Sequence, residues 1–317
     1  AEDGSFELPY KVTAPKQTIE VLASSDSRSE KAEVSVLWDK GSRKRFRFSV
    51  DDNILWLRDL AQAPDKFASL FDHWYLNFFR QMHERYGVKV HFNIYFTDLQ
   101  GFTLDQMPDK WREEFADNAH WMHLTFHARA DVPPRPYKDA SYEQLSADMQ
   151  QVHEQILRFA GPEVTSVVTT IHWAETTRDG AKAVRDAGYR GLIILATEPC
   201  EQCTTKYYFS PELCSHITQR DAWMDFEMDL LFIQCDAVVN TLSLEELVPH
   251  LEKAASNPHT GELLELLIHE QYYRPDLPQL YQPDILEKTE RAIRFAVENG
   301  YEPVFWGDEF FGGEKLA

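Results

Sequence analysis

Arg47-Phe48-Ser49-Val50-Asp51-Asp52 is the stretch on which the fold turns. Phe46, Phe48 and Val50 alternate with Arg47, Ser49 and Asp51, the two-residue period of a strand with one apolar and one polar face. The strand ends in two adjacent carboxylates, followed by Asn53 and the helix-like run Ile54-Leu55-Trp56-Leu57. Such a doublet can hold a cation and keep one carboxylate free as a base. The alternative is that Asp52 merely caps the next helix. Several later strands end in the same kind of residue, which favours the first reading.

Working outward, strand and helix patterns alternate. A helix is expected over 67–86, stopped by Gly87, and a strand over 88–97. A helix over 111–118 leads to a strand over 121–127, and a helix over 141–159 has Ser141 as its cap and Gly161-Pro162 as its stop. Strands follow at 167–172, 191–196, 230–239 and 263–269, with helices at 178–187, 244–255 and 283–299, and Val304-Phe305-Trp306 closes the series. Residues 198–228 hold the cysteines and aromatics and read as an irregular insertion. Roughly seven or eight βα units predict a distorted (β/α)7-8 barrel over residues 45–317. Residues 1–44 differ. Two β-like runs, 18–22 and 33–38, joined by the polar stretch 24–30, predict a short N-terminal β extension packed on the barrel. A doubly wound sheet would carry a Gly-rich phosphate loop after an early strand, where this chain has Asp51-Asp52-Asn53.

A chain of 317 residues that is 43% hydrophobic suits one large α/β domain with a small extension. The net charge of -20 disfavours nucleic acid and anionic lipid as partners, since both demand basic patches. The one dense basic cluster, Arg43-Lys44-Arg45, reads as a solvated turn. No run of about 18 apolar residues occurs, so no membrane span is expected. Cys200-x-x-Cys203 has the spacing of half a zinc site, but Cys214 and Cys235 supply no second close pair, and a disulfide or buried thiols fit as well. The start at Ala1 fits a processed secreted chain or a trimmed one, so no compartment is assigned.

In a barrel, strand faces alternate between the helices and the interior. Here the interior faces are polar: His91, Asn93 and Tyr95 on one strand, Thr125 and His127 on the next, Gln234 and Asp236 on a later one. Strand ends offer Asp51, Asp52, Asp98, His127, His172, Asp236 and His269, which a barrel would gather at its C-terminal rim. His123 and His127 have the i, i+4 spacing of a helical ligand pair, but on a strand they stand about 13 Å apart and cannot share an ion. Asp131, four residues past His127 in a loop, can turn back onto an ion with it.

At this point the chain resembles the NodB-type polysaccharide deacetylases, a carbohydrate esterase family with a distorted barrel of its own type. Phe48-Ser49-Val50-Asp51-Asp52 looks like the family's Thr-Phe-Asp-Asp motif. By that resemblance Asp51 is the general base and Asp52 a metal ligand. His127 with Asp131 falls where the His-Ser/Thr-x-x-His motif would sit, with Asp131 replacing the second histidine and Ala128 the Ser/Thr. Leu267-Ile268-His269 is similar to the late Leu-x-His motif, whose histidine is the general acid. The Arg-rich third motif is replaced by His172-Trp173, while Arg135-Pro136-Tyr137 carries its letters earlier in the chain.

The implied chemistry is metal-dependent removal of an acyl group from a carbohydrate or related small molecule. Asp52, His127 and Asp131 hold the cation, Asp51 and His269 move protons, and His172 is a further ligand or a transition-state donor. Zinc is the default ion, and manganese, cobalt and iron suit the same donors. Trp173, Glu175, Tyr272 and Tyr273 follow strand ends, where they either contact a sugar or pack under a loop. Glu270 either orients His269 or is an ordinary solvated acid. Two rivals stand beside this reading. One is a glycosidase, or other C–N or C–O hydrolase, pairing Asp51 with Glu175 or Asp236. The other is a non-catalytic carbohydrate-binding relative.

Overall fold

Outward-facing Phe46, Phe48 and Val50 are fully buried beneath helices, and inward-facing Arg47, Ser49 and Asp51 are buried as well. In the computed structural model, which describes residues 6–14, 16–25, 27–39, 41–195 and 207–316, the central strand is thus sealed on both faces. Two compact units are present, Ala1–Ser42 and Arg43–Ala317. The first is a hairpin of β1 (Lys16–Ser24) and β2 (Ser29–Leu37), antiparallel with Thr18 opposite Ser35.

The second unit is mixed α/β with mostly parallel strands. In chain order its strands are β3 (Arg45–Asn53), β4 (Val90–Tyr95), β5 (Met122–Ala128), β6 (Val168–Thr169), β7 (Gly191–Ile194), β8 (Ala222–Asp225), β9 (Leu230–Gln234), β10 (Ala237–Val238), β11 (Leu263–His269) and β12 (Glu302–Pro303). The helices are α1 (Leu55–Gln62), α2 (Trp74–Tyr86), α3 (Arg112–Asp117), α4 (Tyr142–Phe159), α5 (Arg178–Asp186), α6 (Pro211–Ile217), α7 (Leu244–Ser256), α8 (Ile285–Glu298) and α9 (Trp306–Phe311). Their ends follow local chemistry. Gly87, at φ 69°, closes α2 by giving its N–H to His83, and Ser141 caps α4 by accepting from Gln144 at 3.2 Å.

A closed barrel ladder does not form among the described residues. One sheet runs β10-β11-β3-β4-β5, with β12 pairing the start of β3, and a second runs β6-β7-β9-β8. Backbone hydrogen bonds outside any ladder bridge their edges: Leu124 N to Val164 O at 2.8 Å, and Asp236 N to Glu265 O at 3.0 Å. The expected strand over 230–239 is two strands, β9 in one sheet and β10 in the other, and the chain changes sheets at Cys235-Asp236. The expected last strand is also corrected, since Trp306 opens α9. Cys200 and Cys203 lie outside the described residues, as does the start of the insertion expected at 198–228; Cys214 and Cys235 are free and buried.

The parallel register aligns the strands' C-terminal ends. His269 pairs Asp51 across β11 and β3, His91 pairs His123 across β4 and β5, and Asn93 pairs Thr125. One tier of polar side chains after another therefore rises through the interior toward a shared rim.

Candidate metal centre

Strand alternation would send Asp51 and Asp52 to opposite faces. The register of β3 against β4 shifts between Val50 and Asn53, and Asp52 adopts φ 63°, a left-handed conformation that aspartate tolerates better than most residues. The irregularity brings both carboxylates to the rim. Asp52 does not cap α1. That task falls to Glu270, whose carboxylate accepts from the backbone N–H groups of Ile54, Leu55 and Trp56 at 2.8, 2.8 and 2.7 Å. Glu270 is thus neither solvated nor an orienter of His269; it is fully buried, and burial pushes its carboxyl up to about 7.

Relieved of capping, Asp52 meets two imidazoles. His127 Nε2 lies 3.0 Å from Asp52 Oδ1, and His172 Nδ1 lies 3.3 Å from the same oxygen and 3.1 Å from His127 Nε2. Asp52, His127 and His172 form a buried group whose ligand atoms all lie within 4.8 Å of one another. Tyr95 donates its hydroxyl to Asp52 Oδ1, and Gln271 Nε2 donates to Oδ2 at 2.7 Å. Burial opposes the Asp52 charge, but hydrogen bonds from His127 and His172 outweigh it and hold the carboxyl well below the usual range. Burial likewise opposes a charged His172, yet Asp131 and Asp52 raise it to about 9.

These residues fit a divalent cation. His127 Nδ1 lies 2.5 Å from the Thr170 carbonyl, so it carries a proton and donates, and this contact turns Nε2 toward Asp52. His127 Nε2 and Asp52 Oδ1 face each other at 3.0 Å, and a neutral imidazole there offers its lone pair to an ion beside the carboxylate. Beside them the Gln271 Oε1 is buried without a hydrogen-bond partner. One carboxylate and two imidazoles suit zinc and related transition metals.

The structure brings two of the three expected ligands, Asp52 and His127, into the buried group and leaves Asp131 outside it. Asp131 is exposed on its loop and reaches the outer nitrogen of His172, Nε2, at 3.5 Å, so the third buried donor is His172. The cause is the shortness of β6. Its ladder ends at Thr169, the Thr170 carbonyl is taken by His127, and the chain turns inward at His172 instead of continuing as a strand. Trp173 and Ala174 follow at φ 65° and 50°, two successive residues in the left-handed region, with the indole half exposed at the rim.

Asp51 stands beside the trio. Asn93 Nδ2 donates to its Oδ1 at 2.6 Å, and its Oδ2 lies 4.0 Å from His127 Nε2. His269, opposite Asp51 on β11, has Nδ1 2.8 Å from Asn240 Oδ1 and exerts a favourable field on the Asp52 charge.

Other expected residues fall elsewhere. Tyr273 is a core residue, packed on Tyr75 and Phe79 with its hydroxyl bonded to Thr289, and is closed to a substrate. Glu175 is buried and clamped by Arg135, whose Nε donates to Oε2 at 2.7 Å. Tyr272 is half-buried beside His269. Asp98 pairs with Arg58 at 2.9 Å, and Asp236 accepts from the Glu265 N–H at 2.8 Å. His123 is stacked on Phe305, apart from the trio. Residue patterns had placed Asn93 and Tyr95 in the interior without a role, and nothing in the sequence around Gln271 marked it.

No family model matches the chain, and no curated protein matches it either. Among solved structures it is similar to BA3943, a CE4 family pseudoenzyme from Bacillus anthracis, at 11% identity and TM-score 0.37, covering 82% of this chain and 63% of that one. A BA3943 mutant with restored enzymatic activity shares 12% identity at TM-score 0.35, over 89% and 77% of the two chains. A candidate polysaccharide deacetylase of o-antigen biosynthesis from Bordetella bronchiseptica shares 10% at TM-score 0.37, over 83% and 91%. These likenesses are distant, and the chemistry assigned to the site rests on its own side chains.

Proposed function

We propose that the chain is a metal-dependent hydrolase of the deacetylase type, acting on an acylated carbohydrate or related small molecule. The observation that carries this reading is the buried Asp52–His127–His172 trio with a second carboxylate, Asp51, and an imidazole, His269, at the same rim. When bound there, a divalent cation, zinc by preference, supplies Lewis acidity toward an acyl oxygen. Asp51, with Oδ1 held by Asn93, takes the proton of the attacking water on Oδ2. His269, with Nδ1 anchored on Asn240, returns a proton through Nε2 to the departing amine or alcohol. Asp131 steadies the His172 ring from outside, and the exposed Trp173 offers a face for a sugar ring. The glycosidase alternative is weakened because Glu175 and Asp236, the candidate second carboxylates, are already engaged by Arg135 and the Glu265 N–H.

The test is acetate release from N- and O-acetylated oligosaccharides by zinc-loaded protein. Asp51→Asn and His269→Ala are each expected to lower kcat by about 100-fold or more while zinc remains bound. Zinc-loaded protein that releases no acetate, or variants as active as the wild type, would overturn the assignment.

A further inference from the structure

Beneath Asp51 the interior is polar along a continuous line. Arg47 and Glu265, both fully buried and adjacent across β3 and β11, form a two-pronged ion pair at 2.8 and 2.7 Å. Arg47 Nη1 lies 2.9 Å from His91 Nδ1, and His91 Nε2 lies 2.8 Å from Thr125 Oγ1. Thr125 Oγ1 donates to Asn93 Oδ1 at 2.8 Å, and Asn93 Nδ2 donates to Asp51 Oδ1 at 2.6 Å. Every member is buried.

The sense of the links follows from the guanidinium at the foot of the chain. A guanidinium only donates, so His91 Nδ1 accepts and the ring proton sits on Nε2. That N–H donates to Thr125 Oγ1, whose hydrogen goes to Asn93 Oδ1 directly or through Thr169 Oγ1, which lies 2.9 Å from Thr125 Oγ1 and 3.1 Å from Asn93 Oδ1. With its oxygen turned toward Thr125, the Asn93 amide has only its NH2 to offer Asp51. The ring must stay neutral for this order to hold, and burial together with the nearby Arg47 charge keeps the His91 pKa well below its usual value.

We infer that this chain is a positioning device for the reaction. Through His91, Thr125 and Asn93, the Arg47–Glu265 pair fixes the Asp51 carboxylate with one oxygen held and the other turned toward the cation site. Asn93 and Thr125 are positioning residues, and the inference rests on reading Asp51 as the base. Chains of buried hydrogen bonds polarise one another, so cutting the middle is felt at the end.

Thr125→Val cuts the route from His91 to Asn93, both the direct one and the one through Thr169, at nearly constant shape. It is expected to lower kcat about 10- to 100-fold with KM and bound zinc unchanged, and Thr125→Ser to restore kcat to within about threefold. His91→Phe cuts the chain one link lower and carries the same expectation, should Thr125→Val not fold. The crystal structure of the folded variant, which needs no turnover, is expected to show the Asn93–Asp51 contact broken or the carboxylate rotated. An unchanged contact, or unchanged kcat in active protein, would overturn the inference. If the wild type itself releases no acetate, the base assignment fails separately, and the variant's crystal structure still decides whether the chain positions Asp51.

Discussion

At the scale of single residues, the distinction that matters is which nitrogen of which histidine faces Asp52. His127 is committed by its hydrogen bond to the Thr170 carbonyl, a contact that places a proton on Nδ1 and turns Nε2 toward Asp52. His172 presents Nδ1 inward, and Asp131 meets its outer nitrogen from the exposed loop. On the proposed reading Asp131 is therefore a supporting residue and His172 a ligand. Asp131→Ala is expected to weaken zinc binding about 10-fold to 100-fold without abolishing it, whereas His172→Ala removes a donor and costs considerably more. Titration calorimetry on both variants checks this order; equal or reversed losses would return Asp131 to the inner set.

At the scale of elements, α1 owes its place to a residue 216 positions away. Glu270, at the end of β11, closes the amino end of α1 with its carboxylate on the Ile54, Leu55 and Trp56 N–H groups. Negative charge at a helix amino terminus and satisfied buried donors both favour this arrangement. Glu270→Ala strands these N–H groups and is expected to cost about 2–3 kcal/mol in urea unfolding, with Glu270→Gln costing less. A loss under about 0.5 kcal/mol would show that water replaces the carboxylate without penalty. Elements of this length were largely legible in the sequence. Alternation in β3, β4 and β5 announced both their existence and their polar inward faces, because a period of two needs no tertiary information. The cap on α1 was illegible, because a distant acid and an adjacent one compete for it and only packing decides. So was the break at Cys235-Asp236, where two short strands of different sheets read as a single apolar run. That His172 and not Asp131 enters the buried group had the same origin: once a chain leaves its ladder, spacing no longer tells where a side chain goes.

At the scale of the whole molecule, mostly parallel strands in two adjoining sheets carry residues far apart in sequence to one rim, while helices bury the other strand faces. A net charge of -20 surrounds an interior that concentrates a few fixed dipoles and charges beneath a cation-ready trio. Binding of a cation to that trio is the point on which the functional reading stands. Anomalous scattering from crystals grown with zinc tests it most directly. The expected result is one strong peak bounded by the Asp52 carboxylate, His127 Nε2 and His172 Nδ1. The contradicting result is no peak there, with Asp52 still bridged directly to the two imidazoles.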